Sequence, residues 1–250
     1  MDQPENSEVN KNQHFASKYF SEIDEASETD NYFAPVLKEL PRYLDIKKAK
    51  VLDVGCGTGV FMKSLIDSGC SQFHGIDGFS EFANRALERG YQEVKIIDDL
   101  NISKIPYDDN LFDLVICKDV FEHLLNPIHV LKEMQRVLKP NGLLLLHVPN
   151  HFTLSGRVRF LISNNIDTYA FFKGESRWTF PHIRFYEYKD SLEVLKENKF
   201  TFIENLSYHF ADLPVLGRFS ILKSTIRSLA KSNPNQFASG FTFLARKNND

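Results

Sequence analysis

Cysteine is scarce. The chain has three, Cys56, Cys70 and Cys117, none in C-x-x-C spacing and all in or beside apolar strands or turns. That pattern excludes a disulfide framework and reads as reduced thiols in a cytoplasmic protein. Long apolar runs are missing too. No stretch approaches the roughly eighteen residues a spanning helix needs, and the polar, acidic segment Met1 to Lys18 has no signal-peptide core. Basic charge is not in excess, with a net charge of -3 and a pI near 6.3, so general nucleic-acid binding is not expected. No His, Cys or carboxylate cluster has ligand spacing in the sequence, and no metal is implied.

What the chain does have is alternation. With 250 residues, 42% hydrophobic and 25% charged, it can bury one substantial core. Strands are expected over Lys50–Val54, Phe73–Asp77, Val94–Ile97, Phe112–Cys117 and Leu143–Val148, with helices over Gly59–Ser68, Ser80–Arg89 and Pro127–Leu138. Repeated βα units of this kind imply a parallel sheet. The segment Lys139-Pro140-Asn141-Gly142 reads as the turn into the fifth strand, and Ser80 as a helix cap.

After Pro149 the alternation breaks for about 35 residues, which suggests an inserted substrate-side element over 150–187. A helix over Lys189–Asn198 and strands over Phe200–Leu206 and Gly240–Arg246 end the chain. Ahead of the first strand, residues 1–45 read as a mobile tail followed by one or two helices, from the spacing of Tyr32, Phe33, Val36, Leu37, Leu40 and Leu44. These helices are expected to act as a lid, with Tyr19, Phe20, Tyr32 or Phe33 lining it. Within the connection 208–236, residues 213–231 carry Arg218, Lys223, Arg227 and Lys231 without one acid, interleaved with apolar residues. This is a basic amphipathic helix, suited either to packing with a solvated basic face or to peripheral membrane or lipid contact.

The most informative stretch is Val51-Leu52-Asp53-Val54-Gly55-Cys56-Gly57-Thr58-Gly59. A strand running into alternating glycines lets the backbone turn tightly and approach a ligand closely. A dinucleotide fingerprint would need its third glycine at Val60, so a pyrophosphate cradle is disfavoured. Asp53 would also repel phosphates, yet it can accept loop amides or attract an ammonium group.

These residues resemble the first motif of the class I S-adenosylmethionine-dependent methyltransferases, of the small-molecule type. The resemblance runs from about Val51 to Arg246 and is densest to Val148. It implies a Rossmann-like, doubly wound, mainly parallel seven-stranded sheet with an antiparallel final strand, forming a domain over 46–250. It implies S-adenosylmethionine as cofactor, contacted by Asp53, Gly55, Cys56, Gly57 and Gly59. Asp77, eighteen positions after Gly59 and followed by Gly78 and Phe79, would take the acidic role at the ribose. Asp98 or Asp99, with Leu100, would meet the adenine, and the expectation falls on Asp99. Ile105 to Ile116 resembles the family's next conserved run, and Arg136 to Leu143 its R-x-LKPGG turn. Lys118, which follows the fourth strand, would also meet the cofactor.

The acceptor side is expected where Glu122-His123-Leu124 follows the fourth strand, because ligands collect at the carboxyl ends of parallel strands. His123 is the first candidate base and His182 the second, with reference pKa values near 6.5. His147, Asn150 and Arg184 are expected to touch the acceptor, and loop anchoring is the competing role for His182 and Arg184. The implied activity is methyl transfer to an oxygen, less readily nitrogen or carbon, of a small-molecule, sugar or lipid-precursor acceptor. Two alternatives stay open: a nicotinamide-dependent oxidoreductase on a similar sheet, and a noncatalytic cofactor-binding protein that serves a partner.

Overall fold

The computed structural model describes residues 31–163, 182–211 and 220–249. Among the described residues seven strands occur, β1 Lys50–Val54, β2 Gln72–Asp77, β3 Glu93–Ile96, β4 Phe112–Lys118, β5 Leu138–Pro149, β6 Phe200–Asn205 and β7 Gly240–Lys247, in the order β3-β2-β1-β4-β5-β7-β6. The mainly parallel sheet with an antiparallel last strand is the one expected. The chain divides into two compact units, Met1–Asp99 and Leu100–Asp250.

In the first unit β1 and β3 both pair parallel with β2. Val51, Leu52 and Val54 are fully buried, as a strand covered on both faces requires. The loop after β1 passes through positive φ at Gly55 (71°), Gly57 (51°) and Gly59 (78°). Gly59 is therefore left-handed and cannot begin a regular helix. In place of one helix over Gly59–Ser68, a 3-10 turn over Val60–Met62 leads into a short α-helix, Lys63–Asp67.

The next helix, Ser80–Glu88, buries Phe82, Ala83 and Ala86. Its N-cap is Phe79, with no side-chain cap, so Ser80 does not cap it. Asp77 instead closes the turn, since its Oδ1 accepts the Phe79 amide at 3.0 Å. Among the described residues before β1 the helical segments are Ala34–Leu37 and a 3-10 turn over Leu40–Arg42. Phe33, Val36, Leu37 and Leu40 are buried, so Phe33 is a core residue and not a lid lining. Tyr32 is 45% exposed and meets Phe61 edge-on at 5.2 Å between ring centroids. Asn31 ties the segment down, donating to the Phe61 carbonyl at 2.8 Å. Tyr19 and Phe20 lie outside the described residues.

In the second unit β4 and β5 are parallel, and β7 pairs antiparallel with both β5 and β6. The helix Pro127–Val137 packs Val130, Leu131, Met134 and Val137 inward. Asn126 caps it by accepting the His129 amide, and proline occupies its first turn. The Lys139–Gly142 segment is not a separate turn before a strand. It lies within β5, where the register jumps from Phe112↔Leu138 to Leu114↔Leu143 and Asn141 has φ 62°. Such an irregularity keeps the strand paired on both sides of an inserted bend.

The break after Pro149 contains a helix, Leu154–Ser163, whose first turn is tied by the Gly156 amide donating to Thr153 Oγ1 at 3.0 Å. Residues 164–181 lie outside the described set. The basic connection is helical over Ser220–Ser232, with Ile226 and Ala230 buried and Arg227 and Lys231 exposed. Arg218 lies outside the described residues. Among the described residues no helix is long and apolar enough to cross a membrane.

Candidate active site

The first unit holds the nucleotide-side residues. Asp53 is buried, and its Oδ2 accepts the Tyr91 hydroxyl at 2.6 Å. Burial first, then the Asp53 charge, pushes the Tyr91 phenol well above its usual range, so it stays a donor. Asp77 Oδ2 accepts the Gly57 amide at 2.7 Å while Oδ1 holds Phe79. One carboxylate thus fixes both loops that follow β1 and β2. The Asp77 carboxyl is raised by burial and held back by those amides. Each of its oxygens has a second lone pair for a ligand hydroxyl.

The glycines divide by role. A Cβ on Gly59 would stand 2.6 Å from a Tyr91 ring carbon, so Gly59 is there for packing. A Cβ on Gly57 would meet nothing within 4 Å, and one on Gly78 only the Ile97 carbonyl at 3.6 Å. The loop therefore presents open space at Gly57 and Gly78, beside the Asp77 carboxylate, as a nucleoside-bearing cofactor requires. The amides of Gly55 and Cys56 are taken by the Ile76 carbonyl at 2.9 and 3.0 Å. Cys56 is buried, and its Sγ would be 2.8 Å from a Cβ on Gly75. Burial, then Asp53 and Asp77, raises its thiol pKa. The Cys56 side chain turns in against β2 and packs there. Asp98 and Asp99 are both exposed past β3, whose end is fixed by the Ile97 amide bonding the Asp77 carbonyl at 2.9 Å.

Leu100 opens the second unit and is half-buried. Lys118 is buried and ion-paired with Asp119. Asp119 sits at φ 53°, and its Oδ1 lies 3.4 Å from His147 Nε2. His147 is buried, with Nδ1 2.7 Å from Thr242 Oγ1, and desolvation lowers its pKa to about 4. Lys118, Asp119 and His147 form one chain of charge and hydrogen bonds at the ends of β4 and β5. The Asn150 side chain, expected at the acceptor, is engaged by the protein backbone. Its buried amide donates to the carbonyls of Asn235 and Ala238 at 3.1 and 2.8 Å, tying the end of β5 to the turn before β7.

Beyond β4 a 3-10 turn, Phe121–His123, is overlaid by the segment 182–187. The amides of Ile183 and Arg184 donate to the Glu122 carbonyl at 2.9 and 3.2 Å. Arg184 Nε donates to the Leu124 carbonyl at 2.6 Å and Nη2 to that of Leu125, while the Tyr186 hydroxyl donates to Phe121 at 2.8 Å. Arg184 is thus a loop anchor, its guanidinium directed at backbone carbonyls. This anchoring places His182 over Glu122, with Nε2 3.9 Å from Oε1, and its ring 4.9 Å from that of His123. On its other side His182 Nδ1 is 2.8 Å from His151 Nε2.

Glu122 is buried, and burial followed by the Asp119 charge raises its carboxyl well above the usual range. Burial and the neighbouring histidines pull His182 down to about 3. His123 is the open member, with its side chain 38% exposed. His151 and Glu122 fall on the side where the acceptor is expected, but their meeting with His182 was not expected. Only the folding of 182–187 onto 121–125 brings them together with His182, and no local spacing in the sequence signals it.

Residues 52–146 match the family model described as a methyltransferase domain. The "Ubiquinone biosynthesis O-methyltransferase" of Haemophilus ducreyi is 33% identical over 109 residues, which are 40% of this chain and 45% of that protein. The one of Pasteurella multocida is 28% identical over 186 residues, 70% of this chain and 74% of that protein. The chain thus spans less than half the length of the first relative and about three quarters of the second. Among solved structures, a chain from the complex of the Haloferax volcanii Trm112 methyltransferase activator superposes with TM-score 0.64 at 18% identity, over 94% of this chain and 98% of that one. That likeness is one of fold. The sheet order and the open glycine loop beside Asp77 agree with the family match, and over residues 52–146 the chain is similar to a methyltransferase domain.

Proposed function

We propose that the protein transfers the methyl group of S-adenosylmethionine to an oxygen of a small-molecule acceptor. The observation that carries the cofactor half is the open backbone at Gly57 and Gly78 around a buried carboxylate, Asp77. When bound there, the cofactor supplies an electrophilic methyl on a sulfonium. Asp77 then receives ribose hydroxyls, with Asp98 or Asp99 near the adenine. Asp53 and Tyr91 keep the loop in shape behind it.

The acceptor half rests on the names of the curated relatives and on the chemistry of the second unit. Displacement at a methyl group needs an aligned, desolvated nucleophile more than elaborate acid–base machinery. The acceptor's proton is assigned to His123, because it is the exposed member of the histidine cluster. His182, held near pKa 3 by burial, is a poor base and has a positioning role.

The test is turnover of labelled S-adenosylmethionine with a panel of phenols, sugars and carboxylic acids, read as S-adenosylhomocysteine formed. Methylation of a hydroxyl or carboxyl supports the proposal. Tight cofactor binding with no turnover on any acceptor supports a noncatalytic binding protein instead.

A further inference from the structure

The cluster beyond β4 is also a set of metal donors, and with an ion bound the proton-accepting role proposed above for His123 would pass to the metal site. Glu122 Oε1 lies 4.0 Å from His123 Nε2 and 3.9 Å from His182 Nε2, and one ligand atom from each residue falls within 4.8 Å of the other two. A tetrahedral ion with ligands at about 2.1 Å brings its donors to roughly 3.4 Å from one another. The donors must close by up to about 1.4 Å, a movement available to the half-open His123 ring.

Three further observations point to a ligand. The Glu122 carboxylate is buried, with a side chain 1% exposed, yet its Oε2 has no hydrogen-bond partner among the described residues. A buried carboxylate oxygen left without a partner is costly, and native structures give such atoms a reason. The His151–His182 bond is the second. With a proton on His182 Nδ1 donated to His151 Nε2, His182 Nε2 carries its lone pair toward Glu122, the arrangement by which outer partners orient metal-bound imidazoles. The third is rigidity, since the Ile183, Arg184 and Tyr186 bonds fasten His182 over the 3-10 turn bearing Glu122 and His123.

We propose that Glu122, His123 and His182 bind one divalent transition-metal cation, with His151 as the residue that orients His182. Two imidazoles and one carboxylate suit Mn²⁺, Fe²⁺, Co²⁺ or Zn²⁺ better than Mg²⁺ or Ca²⁺, and three protein ligands leave positions open. Resting on the methyltransferase reading, the cation's role is to hold an acceptor hydroxyl and lower its pKa. The binding site itself stands without that reading.

The experiment uses the full chain stripped with chelator, titrated with Mn²⁺ by calorimetry and by loss of the free Mn²⁺ resonance signal, and with Co²⁺ by its visible absorption. The expected result is one equivalent bound, weakened at least about 10-fold in Glu122→Gln and in His182→Gln and unchanged in His129→Gln. Should the buried Glu122 variant fail to fold, His123→Asn at the exposed position carries the comparison. No Mn²⁺, Co²⁺ or Zn²⁺ binding tighter than about 1 mM, or equal binding by wild type and cluster variants, overturns the proposal. S-adenosylhomocysteine is titrated separately. Metal binding without cofactor binding would remove the methyltransferase reading and leave the site, and the reverse would remove only the site.

Discussion

His151 Nε2 and His182 Nδ1 are 2.8 Å apart, the first at the end of β5 and the second on the anchored segment over the Phe121–His123 turn. His151 is 5% exposed. Replacing it by alanine leaves a nitrogen of His182 without this partner in a mostly buried setting, a loss of about 1 to 3 kcal/mol. Chemical denaturation of His151→Ala is expected to show that loss. Turnover should fall as well, because the ring over Glu122 is no longer held, and His151→Gln should recover part of both. Wild-type stability and turnover in the alanine variant would make the contact incidental.

Gly57 and Gly59 have similar positive φ but opposite surroundings. Gly59→Ala must push Tyr91 away as well as strain the backbone, so it is expected to lower stability by more than about 2 kcal/mol. Gly57→Ala meets only the backbone term, about 1 to 2 kcal/mol. Its methyl projects into the space assigned to the cofactor, so its S-adenosylhomocysteine affinity should fall by far more than its stability. Melting temperatures and calorimetry on both variants separate the roles. Retained affinity in Gly57→Ala would place the cofactor elsewhere.

Asp77→Ala removes the acceptor of the Gly57 and Phe79 amides together with the proposed ribose contact. Cofactor binding should weaken by about 1.5 to 3 kcal/mol, the scale of hydrogen bonds to a charged group. Stability should fall as well, since two loop amides lose their acceptor. Unchanged affinity in a folded variant would reduce Asp77 to a turn residue.

These predictions draw on two kinds of residue. Asp53, Gly57 and Asp77 were legible in the sequence because a strand, its loop and the next strand end are joined by short, regular spacing. The direction of a side chain in that loop was not. Cys56 turns toward Gly75, and only the packed neighbour shows it. Asn150 follows β5 at the point expected of a substrate contact, but its amide is claimed by carbonyls of Asn235 and Ala238, far along the chain. The Glu122–His182 pairing depends on where the 182–187 segment lands, and that is set by Arg184 and Tyr186 bonding to backbone carbonyls. Carbonyls are present at every residue, so no pattern of side chains announces the contact.

His147 gives the pH dependence. Desolvation lowers its folded pKa to about 4 from an ordinary 6.5, against the opposing Asp119 charge, with Lys118, Thr242 and the Phe210 ring also facing it. Below pH 6.5 the unfolded chain takes up a proton that the folded chain refuses until about pH 4. Stability from this group is therefore complete above pH 6.5 and falls by about 3 kcal/mol as the pH drops to 4. Denaturation midpoints of wild type and His147→Gln should converge across that window. A pH-independent difference between them would remove His147 as the source.

The central claim is that the loop after β1 and the carboxylate at the end of β2 bind S-adenosylmethionine. Calorimetric titration of the full chain with S-adenosylhomocysteine, and in parallel with a nicotinamide dinucleotide, tests it most directly. The account predicts one S-adenosylhomocysteine site, with no heat from the dinucleotide. Binding of the dinucleotide without S-adenosylhomocysteine would contradict it and point to an oxidoreductase.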